Sequence, residues 1–154
     1  MKRFKFRLDR VLSIFLKRLD QQKMNVHKAQ INRDNKETEI VEFQYHIVQQ
    51  ENRFSFLMQG GQISPRDCVS WENYIDYEYV LLEQHKSELK QLEKDLEEEK
   101  RKYIAIDKEC KTLGKLKEKK KTVFNIEQEL TERKEMDEIA IQRILKRENI
   151  EGGF

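Results

Sequence analysis

The side chains that could do covalent or metal chemistry are few and scattered. The chain has three histidines and two cysteines, namely His27, His46, His85, Cys68 and Cys110. Their spacing matches no HExxH, CxxC, glycine-rich phosphate loop or nucleophile elbow. The many glutamates are expected on solvated helix faces, and a pair of helices offers no concave pocket for a substrate. We therefore expect a protein that is not an enzyme and that uses no cofactor or metal ion.

Binding chemistry is better represented, first in an aromatic stretch that ends in a histidine. Its members are Trp71, Tyr74, Tyr77, Tyr79, Leu81 and His85. Tyr74, Tyr77 and Leu81 fall beside the predicted buried positions and should be partly exposed, with Phe43 and His46 level with them on the preceding helix. Exposed aromatics of this kind are typical of binding hot spots. A locally wider core is the alternative, and His85 itself falls on a buried position, where an inter-helical contact is equally expected.

The second binding feature is the basic N-terminus. Residues 1–19 carry seven basic side chains and one acidic one, with apolar residues between them. Three interpretations remain open: an amphipathic helix on an anionic membrane, a partner-binding end, or a broad helix contact with solvated lysines. An organelle transit peptide is disfavoured because the heptad pattern continues through the segment.

A lysine run at residues 115–121 is the third feature. On its own such a run is a solvated helix face, but folding the chain back on itself brings it level with residues 4–10. Positive charge from both helices then collects at one end, here called the basic end (residues 2–10 and 115–121). This suits an acidic protein surface, anionic lipid or nucleic acid. We disfavour nucleic acid because arginine–aromatic base readers are not evident.

Composition indicates the elements that carry these features. The chain of 154 residues is 39% charged and has one proline and five glycines, a profile typical of long helices. Disorder is disfavoured because the apolar residues are periodic. There is no apolar run long enough to span a membrane and no signal-peptide core. The cysteines are too far apart in a hairpin to pair, which fits a reducing cytoplasm.

Residues 59–67, Gln-Gly-Gly-Gln-Ile-Ser-Pro-Arg-Asp, concentrate the helix-breaking chemistry. Gly60 or Gly61 suits the left-handed position that ends a helix, and Ser64 followed by Pro65 suits the cap and first position of the next helix. We predict helix 1 over about residues 4–58, a turn at 59–64, helix 2 over about 65–148, and a frayed tail at 149–154.

A seven-residue repeat runs along both helices. In helix 1 the predicted buried positions are Leu8, Leu12, Phe15, Leu19, Gln22, Val26, Ala29, Arg33, Lys36, Ile40, Phe43, Ile47, Gln50, Phe54 and Leu57. In helix 2 they are Trp71, Ile75, Glu78, Leu82, His85, Leu89, Leu92, Leu96, Glu99, Tyr103, Ile106, Cys110 and Leu113. Folding about residue 62 pairs Phe54 with Trp71 and Leu12 with Leu113.

Beyond Gly114 the pattern predicts a three-residue slip onto Leu116, Val123 and Leu130. Residues from about 120 onward then have no partner within the chain. The predicted fold is all-α: a single antiparallel, left-handed coiled-coil hairpin whose second helix overhangs.

Two motifs and several spacings together resemble the flagellar FliJ family over essentially the whole chain. The first motif is Phe4-x-Phe6-Arg7-Leu8-x-x-Val11-Leu12. The second, near the end, is Arg133-Lys134-Glu135-Met136-Asp137-Glu138-Ile139-Ala140-x-x-Arg143, in which Lys134 to Ala140 is the more specific part. The mid-chain Gly-Gly turn and the stretch from Trp71-x-Asn73-Tyr74 to Glu83-Gln84-His85 also look like the family.

The resemblance implies a non-enzymatic component of the flagellar type III protein export apparatus. It would be a cytoplasmic coiled-coil stalk at the inner face of the inner membrane, required for flagellum assembly and motility. Its implied partners are the hexameric export ATPase, the membrane export gate and export chaperones, with no nucleic acid and with membrane association only through those partners.

The resemblance also implies where the partners bind. The gate-binding face of the family falls on Tyr74, Glu78, Leu81 and His85, although Glu78 and Leu81 depart from the family's chemistry and Tyr77 is a substitute for Glu78. Together with Phe43 and His46 these residues form the aromatic patch. The ATPase ring is expected to receive the terminal end of the coil: Lys2, Arg3, Phe4, Lys5, Phe6, Arg7, Met136, Asp137 and Glu138.

Other classes of protein remain as alternatives. The nearest is the equivalent stalk of a virulence-type secretion system, although the two motifs favour the flagellar one. A generic coiled-coil scaffold would be a parallel dimer without a sharp turn. A peripheral membrane protein would be anchored by residues 1–19.

Overall fold

The computed structural model describes residues 2–152, and within that range the chain forms two long helices and no strand. Helix α1 is Asp9–Gln59 and helix α2 is Pro65–Glu151. The predicted all-α hairpin is thereby confirmed, with the helices packed against each other. Contacts divide the chain into two units, residues 18–106 (the turn unit) and residues 2–17 with 107–152 (the terminal unit). Each unit is described by itself.

In the turn unit, the chain reverses through the predicted Gly-Gly stretch. The Gly60 N–H donates to Phe56 O at 3.2 Å, and Gly61 adopts the left-handed conformation with φ of 63°. The Ser64 hydroxyl accepts from the Asp67 N–H at 3.2 Å, which caps the first turn of α2. Glycine ends one helix and serine begins the next because each satisfies backbone groups that the helix ends leave unpaired.

A narrow core joins α1 and α2 in the turn unit. Its buried centre is Ile40, Ile47 and Leu82, with Phe43 and Leu89 packed against it. The ring centroids of Phe54 and Trp71 lie 6.0 Å apart, as the predicted register requires. All predicted heptad positions in this unit are buried or half-buried. The repeat therefore identifies which side of each helix faces the other.

Polar residues occupy several of these heptad positions and bond across the contact. Gln22 is buried, and its amide Nε2 donates to the Glu99 backbone oxygen at 2.9 Å and to the Glu99 carboxylate. A buried amide must keep such a partner, because leaving it unpaired costs about 1–3 kcal/mol. The pair therefore favours one register of the two helices over neighbouring ones.

In the terminal unit, the structure differs from the prediction at the N-terminus. Helix α1 begins at Asp9 rather than near residue 4, and residues 2–6 have no helical structure. Phe6 is buried and Phe4 half-buried, whereas Arg3, Lys5 and Arg7 between and beside them are exposed. In an extended chain alternate side chains point to the same side, so both phenylalanines can face α2 while the charges stay in water.

The predicted slip of the heptad pattern after Gly114 is also wrong. Burial continues in the original phase through Cys110, Leu113, Lys117 and Phe124. Leu116, Val123 and Leu130, which the slip would bury, are exposed. The original phase is retained because Lys117 pairs with Asp9 and Phe124 packs on Phe4, partners that the slipped phase would remove.

The uncovered part of α2 is shorter than predicted. The extended residues 2–6 reach further along α2 than a helix of equal length, since they rise about 3.3 Å per residue instead of 1.5 Å. Half-buried positions therefore continue to Gln128, whereas residues 129–152 are exposed. Helix α2 continues to Glu151 through the expected tail, and Gly153 and Phe154 lie outside the described residues.

Candidate partner-binding surfaces

The aromatic patch lies in the turn unit, and its members do not share one environment. Tyr74 and Tyr77 are exposed, Tyr77 by 60% of its surface. Leu81, Phe43, His46 and His85 are half-buried. Glu78 is buried, with 7% of its surface exposed. The patch therefore presents two tyrosines to solvent and holds the remaining side chains at or beneath the helix contact.

Glu78 connects Tyr74 to the other helix. Its Oε1 lies 3.9 Å from His46 Nε2, while its Oε2 is buried without a hydrogen-bond partner. Hydrogen bonding to the Glu78 carboxylate, together with burial, raises the pKa of Tyr74. The phenol ring of Tyr74 also meets the indole of Trp71 edge-on, at a centroid distance of 6.2 Å. These contacts hold the exposed Tyr74 in place.

His85 is an inter-helical residue in the structure. Its ring lies edge-on to Phe43 at 5.2 Å, and its Nδ1 accepts a hydrogen bond from Lys36 Nζ at 2.8 Å. Lys36 also pairs with the Glu88 carboxylate, and lies 3.5 Å from Glu39. The hydrogen bond from Lys36 lowers the pKa of Glu88, and the same bond raises the pKa of Lys36.

A second tyrosine contact lies on the other side of α2. The Tyr79 hydroxyl donates to the Glu51 carboxylate, and this hydrogen bond raises the pKa of Tyr79. The Tyr79 hydroxyl is therefore engaged within the chain, whereas Tyr77 is exposed by 60% of its surface. Of the tyrosines between Trp71 and His85, Tyr77 is thus the most exposed, and Tyr74 and Tyr79 each have a carboxylate partner within the chain.

The second candidate surface, in the terminal unit, is a groove between the extended N-terminus and α2. The rings of Phe4 and Phe124 lie 5.6 Å apart. Around them is an open groove of about 600 Å³, which we call the basic groove, lined by Arg3, Phe4, Lys5, Lys119, Lys120, Val123, Phe124 and Glu127. An apolar floor rimmed by four cationic side chains and one carboxylate suits an acidic segment that carries a large apolar side chain.

The basic end forms as predicted, because the lysine run meets the N-terminus. Lys117 Nζ lies 2.7 Å from Asp9 Oδ1. This pair neutralises Asp9, the one acid of residues 2–10. Glu118 is the one acid of residues 115–121, so cations outnumber acids in both parts of the basic end. Lys2 is exposed on the same side and lines a smaller groove with Phe124 and Glu135. Phe6, by contrast, is buried and unavailable to a partner.

The remaining predicted ATPase-facing residues lie on the uncovered part of α2. Met136, Asp137 and Glu138 are exposed helical residues that directly follow Glu135 of this smaller groove. Met136 lines an open groove of about 470 Å³ with Ile139, Ala140, Arg143, Ile144 and Arg147 along the same helix. The residues predicted to face the ATPase therefore fall into two parts. One is the basic groove between the N-terminal segment and α2, and the other is an exposed segment of α2 alone.

The sequence interpretation missed Val123 and Phe124 in the groove and Lys36 in the polar contact. The alternation Arg3-Phe4-Lys5-Phe6-Arg7 has the period of two that predicts an extended strand-like segment, and that signal was available. Lys36 occupied a predicted buried heptad position, which required a partner across the contact. The partner could not be identified from the sequence, because His85 and Glu88 on α2 are both level with Lys36, and Glu39 on α1 is also within reach.

The described helices contain no stretch with the length and apolar character needed to cross a bilayer. The described part of the chain also holds no group of three or more His, Cys, Asp or Glu placed to bind a metal ion.

Comparison with known proteins gives one match. The model of a family described as "Flagellar FliJ protein" matches residues 4–149. Searches of curated proteins and of solved structures returned no match.

Proposed function

The chain belongs to the flagellar FliJ family, whose members are components of flagellar protein export, and we propose that it is a non-enzymatic stalk of the export apparatus. In this proposal the terminal unit binds the hexameric export ATPase and the turn unit binds the cytoplasmic part of the membrane export gate. The chain works in the cytoplasm at the face of the inner membrane, meets export chaperones there, and is required for flagellum assembly and motility.

The observation that carries this proposal is the presence of two surfaces with different chemistry in two different units. The basic groove combines Arg3, Lys5, Lys119 and Lys120 with the Phe4–Phe124 pair. The aromatic patch instead presents two uncharged side chains, Tyr74 and Tyr77, above the buried carboxylate of Glu78. One chain with a charged surface and an aromatic surface is suited to two partners at once.

The charge of the basic groove supports an acidic partner surface at the ATPase. Attraction between opposite charges speeds association and weakens as salt rises. The residues Met136, Asp137 and Glu138 extend the proposed contact onto the uncovered helix, where the apolar Met136 is exposed by 74% of its surface. The aromatic patch is proposed to bind the gate through Tyr74, Tyr77 and Leu81, with Glu78, His85, Phe43 and His46 holding those side chains in position.

Charge reversal tests the ATPase contact. Replacing Arg3, Lys5, Lys119 and Lys120 by Glu should weaken association with the purified hexameric ATPase by about ten-fold or more at moderate salt. The matched control replaces four exposed lysines away from the groove, Lys23, Lys28, Lys94 and Lys108, by Glu. Equal binding by the groove variant and the unaltered chain would contradict the assignment. Equal loss in both variants would mean that net charge alone drives binding.

Flotation with vesicles of anionic lipid separates this proposal from membrane anchoring. A stalk that reaches the membrane through the gate should stay with the protein fraction at physiological salt. Flotation of the chain alone, abolished by the same four groove substitutions, would favour the lipid surface as the natural partner of the groove.

A further inference from the structure

The uncovered part of α2 carries a stripe of exposed side chains with an unusual order. The stripe is Ile126, Leu130, Lys134, Asp137, Ile141 and Leu145. Successive members are four, four, three, four and four residues apart, which keeps them within an arc of roughly 100° at 100° per residue. The four apolar members are exposed by 53%, 51%, 56% and 53% of their surface, in chain order. Nothing in the described chain covers this face.

Apolar and charged side chains follow one another along the stripe in the same order from either end, except that the two central charges exchange sign. Read forwards it is apolar, apolar, positive, negative, apolar, apolar. Read backwards the apolar positions coincide and the positive and negative positions exchange. A surface of this kind is complementary to itself when a second copy runs antiparallel.

We propose that the stripe binds the stripe of a second copy of this chain in an antiparallel, two-fold symmetric pair. In that pair Ile126 faces Leu145, Leu130 faces Ile141, and Lys134 faces Asp137, each contact occurring twice. Two apolar layers on each side of the centre would flank two ion pairs related by the two-fold axis, and Glu127 and Ile144, at the edges of the same arc, would meet at the rim. A parallel arrangement in register would place Lys134 on Lys134 and Asp137 on Asp137, which like-charge repulsion disfavours.

The pairing leaves the helix contact of the terminal unit undisturbed. Phe124 and Lys117, which face the N-terminal segment, lie on a different side of α2 from the stripe. The inference does not depend on the proposed export function, and its test uses the chain alone. Because Asp137 belongs both to the stripe and to the proposed ATPase-facing residues, self-pairing would hold the uncovered helix until a partner displaces the second copy.

The first measurement is the mass of the full chain by sedimentation over a range of concentrations. A short stripe on a single helix makes a small interface by the standard of specific protein contacts. We therefore expect a dissociation constant for the pair between about 10 and 100 µM. A chain that remains monomeric at about ten times the upper value would overturn the proposal.

Charge exchange at the centre of the stripe is the decisive variant series. Lys134→Asp and Asp137→Lys should each raise the dissociation constant by about ten-fold or more, because each places like charges opposite each other at both central contacts. The double variant K134D/D137K should pair again, and a mixture of the two single variants should form the mixed pair. Lys146→Asp, on the opposite face of α2, is the control and should pair normally. All these positions are exposed, and circular dichroism checks that α2 persists.

Cross-linking reports the direction of pairing. In a background with Cys68→Ser and Cys110→Ala, a Leu130→Cys chain mixed with an Ile141→Cys chain should form the mixed disulfide in preference to either homodimer. Preferential linkage of position 130 to position 130 would establish a parallel pair and contradict the proposal. A dimer indifferent to Lys134→Asp and Asp137→Lys would show that another surface is used.

Discussion

The ring centroid of Phe4 lies 5.6 Å from that of Phe124. This pair closes the terminal unit beyond the start of α1, since Phe4 belongs to an extended segment and not to a helix. It also makes the floor of the basic groove, so the same contact that anchors the N-terminus forms the proposed ATPase surface. Stability and binding at this end are therefore linked through the two rings.

Removal of either ring should loosen the terminal unit. Phe4→Ala and Phe124→Ala should each lower the free energy of unfolding by about 1–2 kcal/mol, because each removes partly buried apolar surface. The double variant should cost less than the sum, with a coupling of about 0.5–1.5 kcal/mol for an aromatic pair. Urea unfolding measures all four chains. Phe56→Ala, whose side chain is 76% exposed, is the control and should change little.

The contact between Lys36 and Glu88 should make stability depend on pH in a defined direction. The pKa of Glu88 is lowered from 4.5, so the contact stabilises the fold above that value and is lost as the pH falls through the lowered folded pKa. The pKa of Lys36 is raised from 10.5, so its contribution persists below that value and is lost as the pH rises through the raised folded pKa.

Glu88→Gln should therefore lower the Tm at neutral pH, and its difference from the unaltered chain should vanish as the pH falls below the lowered folded pKa of Glu88. The change is expected to be small and to shrink with salt, because the Glu88 carboxylate is exposed and Lys36 keeps Glu39 nearby. Glu83→Gln, which removes only a 3.7 Å contact with Lys86, is the matched control. An equal Tm for Glu88→Gln and Glu83→Gln at all pH values would contradict the assignment.

The two adjacent glycines of the turn should respond differently to alanine. Gly61 has φ of 63°, so Gly61→Ala should cost about 1–2 kcal/mol of unfolding free energy, although no atom lies within 4 Å of the added carbon. Gly60→Ala meets only ordinary contacts, the nearest at 3.6 Å from Phe56 O, and should be close to neutral. Thermal unfolding compares them. Equal losses would mean that backbone conformation does not decide the turn.

At the aromatic patch, the exposed tyrosines should dominate binding to the gate. Tyr74→Ala with Tyr77→Ala should abolish capture by the cytoplasmic part of the gate, because aromatic side chains at the centre of an interface contribute most. The control is Tyr45→Ala, another exposed tyrosine of the turn unit that lies outside the patch. His85→Ala should act differently, lowering stability through the lost contacts with Phe43 and Lys36. Unchanged gate capture by the Tyr74/Tyr77 variant would remove the patch from the proposed function.

The sequence predicted the two helices, the turn and the contact face because each rests on local or periodic chemistry. Ser64 and Gly61 determine the helix ends through backbone contacts only a few residues away in the chain. The heptad repeat requires only that one side of each helix be apolar. The extended N-terminus was missed because helix 1 was predicted to begin near residue 4, ahead of its first heptad position at Leu8, although Phe4 and Phe6 are spaced by two. The phase after Gly114 was misjudged for a related reason: Leu116, Val123 and Leu130 are more apolar than Lys117, but Lys117 has Asp9 as its partner.

The candidate surfaces were less predictable than the fold. Tyr74, Tyr77 and the basic residues could be identified from their types and spacing. The sequence placed Glu78 at a buried position but could not identify its contacts. Those contacts depend on how His46 of α1 and Tyr74 of α2 approach the Glu78 carboxylate. Likewise the groove at Phe124 exists only because the chain leaves the helical path before Asp9.

The central claim is that one chain holds the export ATPase and the export gate at the same time through different surfaces. Size-exclusion chromatography with light scattering on the chain, the ATPase and the cytoplasmic part of the gate tests it most directly. We predict a three-component complex, reduced to chain plus gate by the four groove substitutions and to chain plus ATPase by the two tyrosine substitutions. Mutually exclusive binding of ATPase and gate to the unaltered chain would contradict the account.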